Sequence, residues 1–240
     1  MPNTRSTLSS KSSLKSSNAK ASLRKLVTSF ALVAFAVGAV EFSAASSNAA
    51  SQPKAITILA KLLTKGRAPQ TGYDRELFSD GWGDIGDCDA RNFILKRDLT
   101  NIVWRSSPRC TVGSGTLKDP YTGKTIYFVR GVSTSSAVQI DHVVAVSDAW
   151  QKGAQKLSSA RRYSFYNDPL NLMAVDGPTN QQKSDSDAAS WLPPRRAFWC
   201  PYVARQIAVK YKYSLWVTTA ERVSMVRVLK TCPNQVTPRG

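Results

Sequence analysis

The chain has a single histidine, His142, inside the run QIDHVVAVSDAW at 139–150. Asp141 stands directly before it and two valines directly after. Asn171 follows in NDPLNL, and Asn180, Lys183 and Asp185 in TNQQKSD. An isolated histidine is more often structural than catalytic, but this company suits one particular chemistry. Hydrolysis of a phosphodiester needs a base to deprotonate water and a cation to neutralise charge on phosphorus. It also needs the departing oxygen to be stabilised. A neutral imidazole fills the first role near pH 7. A carboxylate and an amide oxygen suit a hard divalent cation such as Mg²⁺, which keeps most of its waters. An imidazole base implies activity that rises through a pKa near that of free histidine, with Asp141 pulling the pKa up and a bound cation pulling it down.

The elements that must position these residues can be read from pattern. AVQIDHVV (137–144) and LNLMAV (170–175) read as strands, and TNQQKSDSDAASWL (179–192) as a helix stopped by Pro193-Pro194. Short helices are expected over 147–154 and 158–166. AITILAKLLTK (55–65) has helical spacing, and 66–87, rich in Gly, Pro and Asp, reads as ordered loop. ARNFILKRDLTNIVWR (90–105) begins as a helix, and CTVGSGTL and KTIYFV flank a turn at Asp119-Pro120 as a hairpin. A helix over 198–213 and a last one over 219–231, opened by the capping box Thr218/Glu221, complete an α+β pattern. One constraint is visible already. Adjacent residues of a strand face opposite ways, so Asp141 and His142 share a site only where their strand ends or bends.

The order Asp-His, then Asn-Leu on a second strand, then Asn-x-x-Lys-Ser-Asp opening a helix resembles the HNH endonuclease superfamily, whose core is the ββα-metal (His-Me) finger. GWGDIGDCDARNFILKRDL, SGTLKDPYTGKTI, NDPLNLMAVDGPTNQQKSD and WCPYVARQIAVKYKYSLWVT extend the likeness across most of 70–232. They are similar to exported bacterial HNH proteins related to the C-terminal domain of GmrSD-type restriction endonucleases. The resemblance implies a ββα core at about 137–192 inside a single nuclease domain, 50–240. It implies His142 as general base, Asp141 and Asn180 as metal ligands, and Asn171 as the residue fixing the loop that holds the base. An amide in the third motif position, often His in the family, shifts the expected metal from Zn²⁺ to Mg²⁺ or Mn²⁺. Arg91 is a candidate clamp on the scissile phosphate, with a structural ion pair as its alternative. Lys183, one turn past Asn180, is a candidate phosphate contact or a solvated lysine.

Charge fits a polyanionic substrate. Formal charge is +17, from 33 basic and 16 acidic residues. The first fifty residues hold six of the former and one of the latter, so the remainder still carries +12. No helix-turn-helix or zinc finger supplies base readout, so DNA or RNA is expected to be bound through phosphates with little sequence preference. A catalytically inactive basic protein that binds nucleic acid or cell wall is the alternative. Residues 1–49 read as an export signal, with a basic Ser-rich start, an apolar core at 26–40 and small residues after it. The processed product is expected to be an extracellular monomer without stable membrane association. In an oxidising compartment Cys88, Cys110, Cys200 and Cys232 suggest two disulfides. Local closure favours Cys88–Cys110 and Cys200–Cys232, and their spacing disfavours a zinc site. Asp84, Asp87 and Asp89 cluster without EF-hand spacing and read as solvated or capping groups rather than a Ca²⁺ site. The aromatics Trp191, Trp199, Tyr202, Tyr211, Tyr213 and Trp216 read mostly as core. Mature protein from the medium is expected to begin at Ser46 or Ala50. N-terminal sequencing that finds an intact, membrane-held start overturns this reading.

Overall fold

The computed structural model describes residues 52–105 and 110–239. The export segment expected over 1–49 lies outside the described residues. Among the described residues no helix is long and apolar enough to cross a membrane. Helix α1 (Ala55–Lys61) buries Ala55, Ile58 and Leu59 on one face. An ordered loop follows, holding a single 3-10 turn at Arg75–Leu77. Strands β1 (Asp84–Ile85) and β2 (Cys88–Asp89) pair as a tight hairpin. Asp89 then caps α2 (Ala90–Asp98), its carboxylate accepting from Asn92 N at 2.7 Å. Capping is thus the role of this member of the acidic cluster.

The helix that begins at Ala90 stops at Asp98, and the chain turns into β3 (Leu99–Trp104). β3, β4 (Val112–Lys118) and β5 (Thr125–Val129) form an antiparallel sheet in that order. The β4–β5 hairpin turns at Asp119-Pro120 as expected. Asp119 is fully buried there, with Oδ2 accepting from Thr122 N and Oδ1 accepting from Asp176 N at 2.9 Å. The hairpin turn is thereby bonded to the next sheet.

That sheet pairs β6 (Val138–His142) with a strand from the far side of an insert. The insert carries α3 (Val146–Gln151) and α4 (Ser159–Tyr166). The returning strand, β7 (Leu172–Asp176), runs antiparallel in register from Val138↔Asp176 to His142↔Leu172. Helix α5 (Gly177–Lys183) follows with no intervening loop, capped by Asp176 and started by Pro178. A Cβ at Gly177 would meet the Ser136 carbonyl oxygen at 2.0 Å, so only glycine lets the helix start lie against the turn before β6. β6, β7 and α5 are the ββα unit.

The expected helix over 179–192 is shorter than its pattern implies. It ends at Lys183 because Ser184 adopts φ 50° and the chain turns to deliver Asp187 into a buried ionic cluster. Lys152 Nζ reaches Asp148 Oδ1, Asp187 Oδ2 and Glu221 Oε2 at 2.6, 2.6 and 2.7 Å. Lys210 Nζ reaches Asp148 and Glu221 at 3.2 and 2.8 Å, and Arg67 pairs with Asp148 and Asp187. Three cations thus balance three carboxylates. Burial pushes the Asp187 carboxyl up, but Lys152, the Ala189 N–H and Arg67 together outweigh it and leave the group below its ordinary value.

The cluster joins α3 and the turn after α5 to α6 (Trp199–Lys212) and α7 (Thr219–Lys230). The Thr218/Glu221 capping box forms at the start of α7. Cys200–Cys232 ties the start of α6 to the second residue beyond α7, and Cys88–Cys110 ties β2 to the residues just before β4, which are the two expected pairings. Each closed loop stabilises by about 3 kcal/mol on the chain-entropy account. Tyr202, Tyr213 and Trp216 are core and Trp191 packs against it, whereas Tyr211 is half exposed. Replacing Lys152 by Met is expected to destabilise the protein by about 3–5 kcal/mol in urea unfolding, because it leaves buried carboxylates uncompensated. The same change at exposed Lys156 is the control, and equal midpoints for the two variants refute the reading.

Candidate functional site

β6 ends at His142, and a cavity of about 290 Å³ opens at that end. Asp141, His142 and Asn180 all line it, together with Tyr73, Arg75 and Asp185. The alternation of the strand is therefore kept, and the two neighbours share a cavity because the strand stops there.

His142 is 5% exposed. Its ring lies parallel to Trp82, with centroids 5.7 Å apart, and 4.4 Å from the ring of Tyr166. Nε2 sits 2.8 Å from the Tyr166 carbonyl oxygen. A carbonyl only accepts, so Nε2 carries the proton and Nδ1 keeps the basic lone pair. Burial pushes the imidazole pKa down to about 3, helped by the charges of Arg75 and then Lys183, while the bond to Tyr166 opposes them. The imidazole of the folded chain thus lies below the ordinary histidine value. Asp141, although adjacent in sequence, is not among the groups that shift it.

Lys183 Nζ donates to Asp141 Oδ1 at 2.8 Å and to the His142 carbonyl at 2.9 Å. Tyr121 donates its hydroxyl to Asp141 Oδ2. Burial, then Asp141, hold the Tyr121 hydroxyl well above its ordinary pKa, so it stays a donor. Lys183 is fully buried, so it is neither the phosphate contact nor the solvated lysine that its spacing suggested. The helix turns it inward, toward the strand.

Asn171 is also fully buried. Its Oδ1 accepts from Val144 N at 2.8 Å, its Nδ2 donates to Val144 O at 3.2 Å, and its own carbonyl accepts from Val143 N. Gln206 of α6 donates to the Val143 carbonyl from the other side. Both hold the segment leaving His142. Asn180 donates Nδ2 to Gln139 Oε1 at 3.0 Å, which leaves its amide oxygen as the end able to bind a cation.

Arg91 lies elsewhere. Its Nη2 is 3.3 and 3.4 Å from the carbonyls of Val138 and Ser135, at the opposite end of β6 from His142. It makes neither the phosphate clamp nor the aspartate ion pair expected of it. It satisfies backbone acceptors of the turn that feeds the strand.

Tyr166, Trp82, Tyr121 and Arg75 were not singled out from sequence. They come from a loop, a hairpin turn and a helix end, and no local spacing links them to His142. The donor set at the cavity, Asp141, Asn180 Oδ1 and exposed Asp185, is all oxygen. Among the described residues no three His, Cys, Asp or Glu side chains converge as a metal cage. Few protein oxygens and room for water suit a hard cation that keeps most of its waters.

Residues 89–228 match the family model for the C-terminal domain of GmrSD restriction endonucleases. The chain is 38% identical over 187 residues to an uncharacterized secreted protein of Arthroderma benhamiae, covering 77% of this chain and 88% of that relative. No solved structure matches. Two disulfides and a secreted relative agree with an extracellular setting.

The imidazole makes a sharp pH signature available. The unfolded chain binds a proton below its ordinary pKa of 6.5, whereas the folded chain waits until about 3. Stability conferred by neutral His142 is thus fully present above the first value and is lost as pH falls below it. The loss approaches about 1.4 kcal/mol per pH unit. Wild type is expected to show this component of slope, and His142→Gln to lack it, in urea unfolding at stepped pH. Carbon-bound ring protons that titrate near the ordinary value in the folded protein refute the assignment.

Proposed function

Because the chain belongs to the GmrSD restriction endonuclease C-terminal domain family, we propose that it is an exported, metal-dependent HNH endonuclease. It hydrolyses phosphodiester bonds of DNA, or of RNA, with little sequence preference. The observation that carries this reading is the tautomer of His142. With Nε2–H spent on the Tyr166 carbonyl, Nδ1 is the free base, at a cavity it shares with Asp141 and Asn180.

His142 accepts the proton of the attacking water at Nδ1, and the nascent imidazolium is held by the bond from Nε2 to Tyr166. Asn171 and Gln206 keep the segment after His142 from moving, which fixes the base against its target. Asp141 and Asn180 would hold a divalent cation, which when bound neutralises charge on the phosphate and stabilises the departing 3′ oxygen. Lys183 and Tyr121 orient the Asp141 carboxylate by one oxygen each. The low basicity of the buried imidazole keeps it unprotonated at all ordinary pH and makes it a weak base, so orientation has to supply much of the rate.

Processed protein incubated with supercoiled plasmid is expected to nick it with Mg²⁺ or Mn²⁺ and not with EDTA. His142→Ala is expected to reduce cleavage by about 10²–10⁴-fold with little change in DNA affinity, since the phosphate-binding charge lies elsewhere. Asn180→Ala is expected to lose activity that higher Mg²⁺ partly recovers, whereas His142→Ala is not rescued. His142→Ala cutting at the wild-type rate removes the site from the chemistry. A wild type that binds plasmid and never cuts it leaves a basic binding protein.

A further inference from the structure

We propose that Arg75 is the residue that grips the scissile phosphate, and that Tyr166 places it relative to His142; the proposal deepens the hydrolase reading above and rests on it. Arg75 lies ahead of the span matched by the family model, in the 3-10 turn after Asp74. Among the described residues lining the cavity it is the one lysine or arginine. It is solvent-exposed, and among the described residues no carboxylate forms an ion pair with it. The neighbouring cations are committed. Lys183 is buried on Asp141, Arg91 is bonded to strand carbonyls, and Arg67 sits on Asp148 and Asp187.

The turn that carries Arg75 is built to hold it. Asp74 accepts from Glu76 N at 2.9 Å, and Phe78 is anchored between Trp150 and Phe165, with centroids 6.2 and 5.9 Å away. The guanidinium lies 5.0 Å from the centre of the Tyr166 ring, and Nε donates to the Tyr166 hydroxyl at 3.2 Å. The phenol of Tyr73 flanks it on the cavity side. One tyrosine therefore fixes both groups, His142 by its carbonyl and Arg75 by its ring and hydroxyl. An exposed guanidinium, stacked and held at Nε, presents its terminal nitrogens in the fork that matches two phosphate oxygens.

The test compares Arg75→Ala, Arg75→Lys and Tyr166→Phe with wild type in plasmid cleavage and in plasmid binding. Arg75→Ala is expected to lose about 10²–10³-fold in kcat, the range for one transition-state donor. Its plasmid Kd is expected to rise less than about threefold, because one phosphate contact among many is removed. Added guanidinium chloride, at concentrations that leave wild type folded, is expected to restore Arg75→Ala at least tenfold. Arg75→Lys is expected to recover only part of the loss, and Tyr166→Phe, which keeps the carbonyl on His142, to lower kcat with KM unchanged. Arg75→Ala at wild-type activity overturns the proposal, and so does a loss that guanidinium leaves untouched, which marks a merely structural arginine. A parallel measurement follows the Arg75 Nε–H resonance of wild type during titration with inorganic phosphate. If wild type fails to cleave yet phosphate shifts that resonance, the hydrolase reading fails and the anion site stands. If wild type cleaves and the resonance does not move, the anion site fails and the hydrolase reading stands.

Discussion

A buried lysine closes the centre of this molecule. Lys183 reaches from the last turn of α5 to Asp141 Oδ1 and to the His142 carbonyl, with no exposure to water. One ammonium thus bonds the helix of the ββα unit to the strand end that opens on the cavity. A buried ion pair of this kind is a weak source of net stability, because desolvation offsets most of its attraction. Its value here is geometric. An ammonium left without Asp141 is costly, so the helix and the strand have one satisfactory register.

A second group of charges extends that constraint outward. Lys152, Lys210 and Arg67 balance Asp148, Asp187 and Glu221 between α3, α6, α7 and the turn after α5. Asp187 belongs to the same stretch as Asn180 and Asp185, so the cluster holds the far end of the segment that lines the cavity. Cys200–Cys232 keeps α6 and α7 together behind it. The cavity wall is thereby fixed from both ends, by Gly177 packed on Ser136 and by Asp187 packed on Lys152. A site of small volume holds its geometry when the elements around it cannot slide independently.

The electrostatics around His142 follow from the same arrangement. Asp141 accepts one hydrogen bond at each oxygen, from Lys183 and Tyr121, and the charges that act on the buried imidazole are those of Arg75 and Lys183. The carbonyl of Tyr166 selects the tautomer while the hydrophobic contacts to Trp82 and Tyr166 exclude water. The sequence neighbour with the obvious charge is therefore not the group that sets the state of the imidazole.

Legible in the chain alone were the α+β pattern, the strand–insert–strand–helix order, both disulfides and the capping box at Thr218, whereas only the family resemblance grouped Asp141, His142 and Asn180. The former follow from period, turn chemistry and short-range spacing, which act within one or two elements. The resemblance also implied that Asn171 fixes the loop after His142, and Asn171 does bond Val144 N and O there. The sequence did not assign Lys183 or Arg91, because helix spacing says which turn a side chain leaves from and not which face the fold buries. Tertiary structure turned Lys183 inward, sent Arg91 to the opposite end of β6 and cut α5 short at Ser184. It also brought in Arg75 and Tyr166, which lie 91 residues apart and meet beside the packed rings of Phe78, Trp150 and Phe165. Contacts at that separation depend on the shape of the core, and no local pattern in the chain encodes the shape of the core.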